Sequence, residues 1–376
     1  MLKVSVVMTA YNHEKFIKEA IDSVISQITN FKYELIIGED CSTDDTRSIV
    51  IDYANKYPDI IRLNLQEKNV GARKNSISNV EMCNGEYIAA LEGDDYWIDN
   101  YKLQKQVDFL DNNPEHTICG FGYKIYEQKT NCFLEDQIHK NEKFSLEDFL
   151  IEGTKLRRNP LSIRTLTKMY RKSVLENPPD IWYNAPYGDY ISQILCLQKG
   201  YGAIMEDVVG VYRINKNSIT QKDKKRFSEM RLEQKNKVLK YLPKKYSAYL
   251  QKDIDDAILL EEYRDLKGNF ENHIDSETIL KYFIKNKINS IGIYGAGTLG
   301  KVINNKLKGT DIEVAFFIDN HVNSCSESPI IRPQDININS FVDAIIITPF
   351  YDFENINNEL IKLNVKSKII SLKELL

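Results

Sequence analysis

The sequence contains no apolar run approaching the ~18 residues of a membrane-spanning helix. It has no CxxC pair. Its six cysteines, Cys41, Cys83, Cys119, Cys132, Cys196 and Cys325, are scattered, which speaks against a zinc or disulfide framework and for reduced cytosolic thiols. It has no excess of either charge: 50 Lys and Arg against 54 Asp and Glu leave a net charge of −4. No strong field therefore draws in nucleic acid, and no nucleic-acid partner is expected. The start, "MLKVSVVMTAYN", alternates like a strand and lacks the long apolar stretch of a signal peptide. A cytoplasmic location is expected. A basic run, "KDKKRF", reads as a solvated face or as peripheral contact with the inner face of the membrane. Short-period repeats and low-complexity tracts are also missing. The histidines His13, His116, His139, His273 and His321 form no ligand pattern.

What is present is room and rhythm. With 376 residues the chain can hold two or three domains. The first hundred alternate strand and helix signals. "VSVVMTA", "YELIIGED", "IIRLNL" and "EYIAALE" read as strands. Glu14 to Ile28, Asp44 to Tyr57 and Gly71 to Cys83 read as helices. This βαβαβαβ order predicts an α/β fold with a mostly parallel sheet and helices on both faces. Ligands of such sheets bind beyond the carboxyl ends of the strands. Thr9 to Asn12, Glu39 to Asp45 and Glu92 to Asp95 all fall there. Residues 221–287 are charged, helical in pattern and expected to break at Pro243 and Gly268. Residues 288–376 restart the rhythm as a second, small α/β domain.

Three stretches can carry chemistry. In "YIAALEGDDYWIDN" a strand runs into Glu92, Asp94 and Asp95. Such crowding suits either a solvated turn or a hard divalent cation, Mg²⁺ or Mn²⁺, shared with substrate phosphates. In "GEDCSTDDT", Ser42, Thr43 or Asp44 can cap the next helix, and Asp40 at the strand tip can accept from a base N–H. In "TAYNHEKF", Tyr11 and Asn12 occupy a strand-to-helix turn, where an aromatic ring and backbone amides suit a nucleotide or simply pack.

Together with "KNVGARKNS", "TLTKMYRKSVL" and "YGDYISQILC", in this order, these segments make residues 1–220 resemble the inverting family 2 glycosyltransferases of GT-A fold. The resemblance implies a nucleoside diphosphate sugar donor, UDP-linked, lined by Thr9 and Tyr11. It implies that Asp40 contacts uracil and that Arg73 or Lys74 lies beside base or phosphate. "EGD" takes the family's DxD position. Asp94 becomes the direct metal ligand, Glu92 faces the ribose or a metal-bound water, and Asp95 supports them. Asp189 matches the general base, with an N-cap of the following helix as the structural alternative. Asn215 stands where relatives often carry His, which puts a metal or diphosphate contact there in doubt. No QxxRW-type motif is present, so single additions are expected rather than polymerisation. The basic run with Arg157 and Arg158 reads as an acceptor-side segment or a solvated loop. The acceptor would be a surface glycan or a lipid-linked oligosaccharide. Rival readings are a nucleotidyltransferase of similar fold, a non-catalytic glycan-binding scaffold, and an oxidoreductase working through the C-terminal domain.

That domain carries "IYGAGTLG", a strand running into Gly295, Gly297 and Gly300, with Asp319 at the next strand's end. It resembles small Rossmann-like domains of sugar-modifying enzymes. A second nucleotide site and a structural or dimer-forming role both stay open.

Overall fold

The computed structural model describes residues 2–134, 136–153, 159–215, 224–273, 276–320, 328–336 and 341–375. It divides into two compact units, Met1–Ile254 and Asp255–Leu376.

The first unit opens with β1 (Leu2–Ala10), α1 (Ile17–Ile25), β2 (Lys32–Glu39), α2 (Thr46–Lys56), β3 (Ile61–Leu65), α3 (Ala72–Glu81) and β4 (Tyr87–Glu92), as the rhythm predicts. Then follow β5 (Tyr96–Trp97), α4 (Lys102–Asn112), β6 (His116–Glu127), β7 (Cys132–Phe133), β8 (Asn141–Phe144), α5 (Leu146–Gly153), β9 (Met169–Arg171), α6 (Asp180–Asn184), α7 (Gly188–Lys199) and β10 (Tyr201–Ile214). The sheet runs β3-β2-β1-β4-β9-β6-β10-β5. It is mostly parallel. β9 enters antiparallel between β4 and β6, and β5 lies antiparallel on β10.

Both faces of the sheet are covered. Ile36, Ile88 and Ile118 pack with Ile191 and Ile194 of α7 on one side. Val6, Leu35 and Tyr87 pack with Ile21 of α1 and Leu103 of α4 on the other. Each such aliphatic side chain contributes about 1.5–3 kcal/mol by leaving water. Parallel strands covered on both faces need apolar runs rather than strict alternation, and "VSVVM" and "LII" supply them.

The loops after β1 and β2 lock into each other. Asn12 (φ 57°) and Cys41 (φ 59°) take the left-handed conformation, which Asn tolerates better than most residues. The Asn12 amide N–H donates to Ser42 Oγ (3.0 Å), and its side-chain oxygen accepts from the Thr43 N–H (2.9 Å). The His13 N–H donates to Thr46 Oγ1 (2.8 Å) and the Glu14 N–H to Asp44 Oδ2 (3.1 Å). None of Ser42, Thr43 and Asp44 is the cap of α2: the cap position is Asp45, without a side-chain cap bond, and Asp44 accepts the Thr46 N–H (3.0 Å) from one residue further out.

Helices Lys224–Tyr241, Ser247–His273 and Ser276–Lys285 follow. The first ends before Pro243, as expected. The expected break at Gly268 does not occur, and Ser247–His273 runs through it. One glycine costs a helix only about 1 kcal/mol, which a long helix absorbs. Among the described residues no helix is long and apolar enough to cross a membrane.

The second unit holds β11 (Ser290–Tyr294), β12 (Glu313–Ile318), β13 (Ile330–Ile331), β14 (Ala344–Ile347) and β15 (Lys368–Ser371). They form a parallel sheet in the order β13-β12-β11-β14-β15. Ile291, Ile293, Phe317 and Ile346 pack with Leu299 and Ile303 of the helix Thr298–Leu307.

Candidate active site

Register brings the polar clusters to one edge. Thr9 of β1 pairs with Glu92 of β4, and Ala10 pairs with Glu39 of β2. The Gly93 N–H donates to the Thr9 carbonyl (2.9 Å) and the Asp40 N–H to the Ala10 carbonyl (3.0 Å). Thr9, Tyr11, Asp40, Glu92, Asp94 and Asp95 therefore share the carboxyl ends of β1, β2 and β4. Tyr11 is exposed. The glycine inside "EGD" is needed for close approach: a Cβ on Gly93 would lie 2.8 Å from both His13 Nδ1 and Ile17 Cδ1.

The three acids are held differently. Asp94 Oδ2 accepts from the Asn215 side-chain amide (2.9 Å), and the Asp94 carbonyl accepts from Arg213 Nη1 (2.8 Å). Asn215 thus reaches the acid cluster directly. Asp95 is buried. Its Oδ1 accepts from the Arg213 N–H (2.8 Å) while Oδ2 has no partner. Burial, then the Asp94 and Glu92 charges, hold the Asp95 carboxyl well above its ordinary range. Burial, then Asp189 and Asp94, push Glu92 up to about 8. Arg213 also pairs with Glu19 and stacks on Tyr96 (4.3 Å to the ring centroid). His13 joins the rim; burial depresses its imidazole against the opposing pull of Asp94 and Asp44.

Asp189 closes the other side. It lies in the first turn of α7 and does not cap it: the cap position is Tyr187, without a side-chain cap bond. Its Oδ2 accepts from Thr165 Oγ1 (2.6 Å) and its Oδ1 from Lys168 Nζ (3.1 Å). Lys168 is 3% exposed, whereas the Asp189 side chain is 56% exposed. Lys168 also donates to Ser192 Oγ (3.1 Å). Burial by itself would raise the Asp189 carboxyl. The Lys168 charge, the Thr165 and Lys168 hydrogen bonds and Arg164 outweigh it and hold the group below its ordinary range. Asp189 is therefore an ionised carboxylate beside an acid cluster that is short of positive charge.

Two anticipated donor contacts have other partners here. Asp40 is 2% exposed, and its oxygens accept from the Val70 (2.7 Å) and Gly71 (2.9 Å) N–H groups. A uracil N–H would need a remaining lone pair and a shift of that loop. Arg73, in the first turn of α3, stacks on Trp182 (4.4 Å to the ring centroid) and donates to its carbonyl. Among the described residues its buried Nε and Nη1 have no partners, and burial lowers it to about 10. Lys74 is exposed. Arg157 and Arg158 lie outside the described residues.

Sequence reasoning missed Lys168, Thr165 and Arg213 as site residues. Lys168 sits inside the apolar "LTKMY", where a lone lysine against β9 is the only hint. Among the described residues no three acidic, thiol or imidazole side chains converge as a metal cluster. A cation here would rest on one or two carboxylates with substrate oxygens completing its shell, which hard divalent ions accept. The unpartnered Asp95 Oδ2 and the raised Glu92 fit a site that lacks a positive charge.

In the second unit the glycines separate by role. Gly295 has φ +100°, and a Cβ on Gly300 would lie 2.1 Å from the Gly295 carbonyl oxygen, so the backbone itself requires both. A Cβ on Gly297 would meet nothing within 4 Å. Asp319 Oδ2 accepts from the Ala296 N–H (2.9 Å), bracing the glycine loop.

Comparison with known proteins agrees with this geometry. The sequence profile described as Glycosyl transferase family 2 matches residues 5–177. An uncharacterized protein of Mycobacterium tuberculosis is 34% identical over 231 residues, 60% of this chain and 64% of that protein, so the chain spans less than two thirds of that relative. The putative teichuronic acid biosynthesis glycosyltransferase TuaG of Bacillus subtilis is 31% identical over 223 residues, 58% of this chain and 81% of TuaG. S. aureus TarS 1-349, solved in complex with UDP-GlcNAc, superposes with TM-score 0.54 at 20% identity, covering 75% of this chain and 79% of that one. The mannosyltransferase PcManGT of Pyrobaculum calidifontis, solved with GDP-Man and Mn²⁺, gives 0.52 at 16% identity, with 75% and 79% covered. At these identities the two structures share the fold with this chain.

Proposed function

The chain belongs to glycosyl transferase family 2, and from that premise we propose that it is a metal-dependent, inverting glycosyltransferase. Its donor is a nucleoside diphosphate sugar, UDP-linked. Its acceptor is a hydroxyl of a surface glycan or lipid-linked oligosaccharide. The observation that carries this reading is Asp189, an ionised carboxylate fixed by Thr165 and Lys168 within electrostatic reach of Glu92.

The acceptor hydroxyl has a very high pKa, so its proton must leave as its oxygen bonds to the anomeric carbon. Asp189 takes that proton. The bond from the anomeric carbon to the diphosphate oxygen breaks with its electron pair going to the diphosphate, and one in-line displacement inverts the centre. Asp94, with Glu92, would hold the Mg²⁺ or Mn²⁺, which offsets charge on the departing diphosphate. Asp95 and Arg213 fix the strand end that presents them. Thr9 and Tyr11 line the base side; Asp40 joins them once the loop around Val70 shifts, and Arg73 once it leaves Trp182. The GDP-Man and Mn²⁺ bound by PcManGT and the UDP-GlcNAc bound by TarS support this class of donor.

The second unit we read as Rossmann-like, from its parallel order and its glycine turn. Its Asp319 serves the loop, which favours a structural role for the motif.

The test is a thermal-shift panel of UDP-, GDP- and dTDP-sugars with and without Mn²⁺. A ligand that binds only the folded state at 100 times its Kd adds about 2.7 kcal/mol of stability. We expect a selective, metal-dependent rise with one UDP-sugar. No rise with any donor in either condition overturns the reading.

A further inference from the structure

Arg164 is a cationic side chain near Asp189 whose charge supports that carboxylate and whose fork of N–H donors this chemistry leaves unused. It directly precedes Thr165, the residue that holds Asp189 Oδ2. Its guanidinium lies between two phenol rings, 5.1 Å from the Tyr212 centroid and 6.0 Å from that of Tyr123. Its Nε donates a long hydrogen bond to Tyr123 Oη (3.4 Å). Among the described residues no carboxylate comes within ion-pair distance of it, and the oxygens of Asp189 are bonded to Lys168 and Thr165.

A guanidinium stripped of part of its water normally gains a carboxylate or phosphate partner. Its planar fork of N–H donors matches two oxygens of an acid group. The rings around it add a second element. Tyr123 is buried and holds the guanidinium through its hydroxyl, while Tyr212, half-buried, offers a ring face on which a sugar's C–H face can lie. The two tyrosines come from neighbouring parallel strands, β6 and β10, so the pair is set by the sheet rather than by a loop.

We propose that Tyr123, Arg164 and Tyr212 form an acceptor subsite that selects a saccharide bearing an acid group, a carboxylate or a phosphate, next to the hydroxyl that Asp189 deprotonates. This rests on the reading of Asp189 as the base and deepens it by naming the acceptor's charge. The acid group docks on the Arg164 fork, away from the Asp189 carboxylate that would repel it. A neutral acceptor leaves the fork unpaired and binds more weakly.

The experiment uses the full chain and ligand-observed NMR, with saturating UDP and Mg²⁺ and again without either. Two matched pairs of probes are titrated: methyl β-D-glucuronide against methyl β-D-glucoside, and glycerol 3-phosphate against glycerol. We expect the wild-type protein to prefer one anionic probe by about tenfold, the scale of one charge-assisted hydrogen-bonded contact. Which pair shows the preference tells carboxylate from phosphate. Arg164→Gln abolishes the preference, and Arg164→Lys, which keeps the charge without the fork, retains part of it. No preference in the wild type, or a preference that survives Arg164→Gln, overturns the proposal. So does a loss of UDP affinity in Arg164→Gln, which would assign the arginine to the donor. If the wild type fails to bind UDP, only the donor reading falls, because the anion comparison without UDP still stands.

Discussion

Changing Asp189 to Asn keeps the size of the side chain and removes its charge. The Thr165 hydroxyl can still donate to the amide oxygen. Lys168, only 3% exposed, loses its counter-charge and keeps Ser192 Oγ and the Asp189 carbonyl as acceptors. Breaking a fully buried pair costs about 3–5 kcal/mol. Here the carboxylate is 56% exposed, and solvent screening brings the expected loss nearer about 1 kcal/mol. In a unit of this size that lowers Tm by about 2–4 °C. Turnover should fall by about two orders of magnitude or more, the scale of a lost general base, while UDP affinity stays put. Calorimetry with UDP and Mn²⁺ reads the affinity, and UDP release from the donor, with water as the default acceptor, reads turnover. The double variant Lys168→Met with Asp189→Asn removes the stranded charge. Its Tm should recover while its turnover does not, a non-additivity that a double-mutant cycle isolates. Retained turnover in Asp189→Asn would refute the base assignment. A matching loss of UDP affinity would move Asp189 to the donor side.

Asp94→Ala should abolish metal-dependent UDP binding, and unchanged calorimetric affinity with Mn²⁺ would remove Asp94 from the metal site. Glu34 gives a pH test away from the cleft: it accepts from Ser5 Oγ (2.6 Å) and the Asn84 N–H (2.8 Å) and pairs with Arg62 (2.8 Å). Burial opposes its ionisation, but these partners together hold it below its ordinary 4.5. Its contribution is therefore full above that value and is lost as pH falls through the folded pKa. Glu34→Gln should cost about 1.5–3 kcal/mol near neutrality and little in acid, as read by urea denaturation at several pH values. Gly297→Asp, where a Cβ meets nothing, should leave the fold intact and turnover within a few-fold. Gly300→Ala, 2.1 Å from a carbonyl oxygen, should destabilise the second unit in thermal melts.

The β1-to-β4 half of the sheet was legible because each of its strands is an apolar run ending in polar residues, so the polar clusters had to share an edge once the strands ran parallel. The half around β9, β6 and β10 was not, because it depends on pairings between distant segments. Lys168 becomes a site residue only when β9 inserts between β4 and β6, and no periodicity encodes that insertion. Asp189 stood in the sequence as base, cap or both; its bonds to Thr165 and Lys168, not to helix amides, remove the cap, and the base is our proposal. Asp40 was legible as a strand-tip acid, but its partners at Val70 and Gly71 were not, since loop amides leave no mark in side-chain patterns. Gly268 misled because a helix break needs more than one poor helix former.

The position of β9 has a consequence for how the chain is made. Tyr87, Ile88 and Ala89 of β4 pair along one side with Arg171, Tyr170 and Met169. During synthesis that side of β4 stays bare until about eighty further residues have emerged, several seconds at about 5–20 residues per second. The nascent layer β3-β2-β1-β4 then has the apolar edge of β4 open in addition to the edge of β3, a template for pairing with another chain. Ribosome pausing or a rare-codon cluster between β4 and β9 would lengthen that exposure, and holdase chaperones should be found on nascent chains of this length rather than on shorter ones.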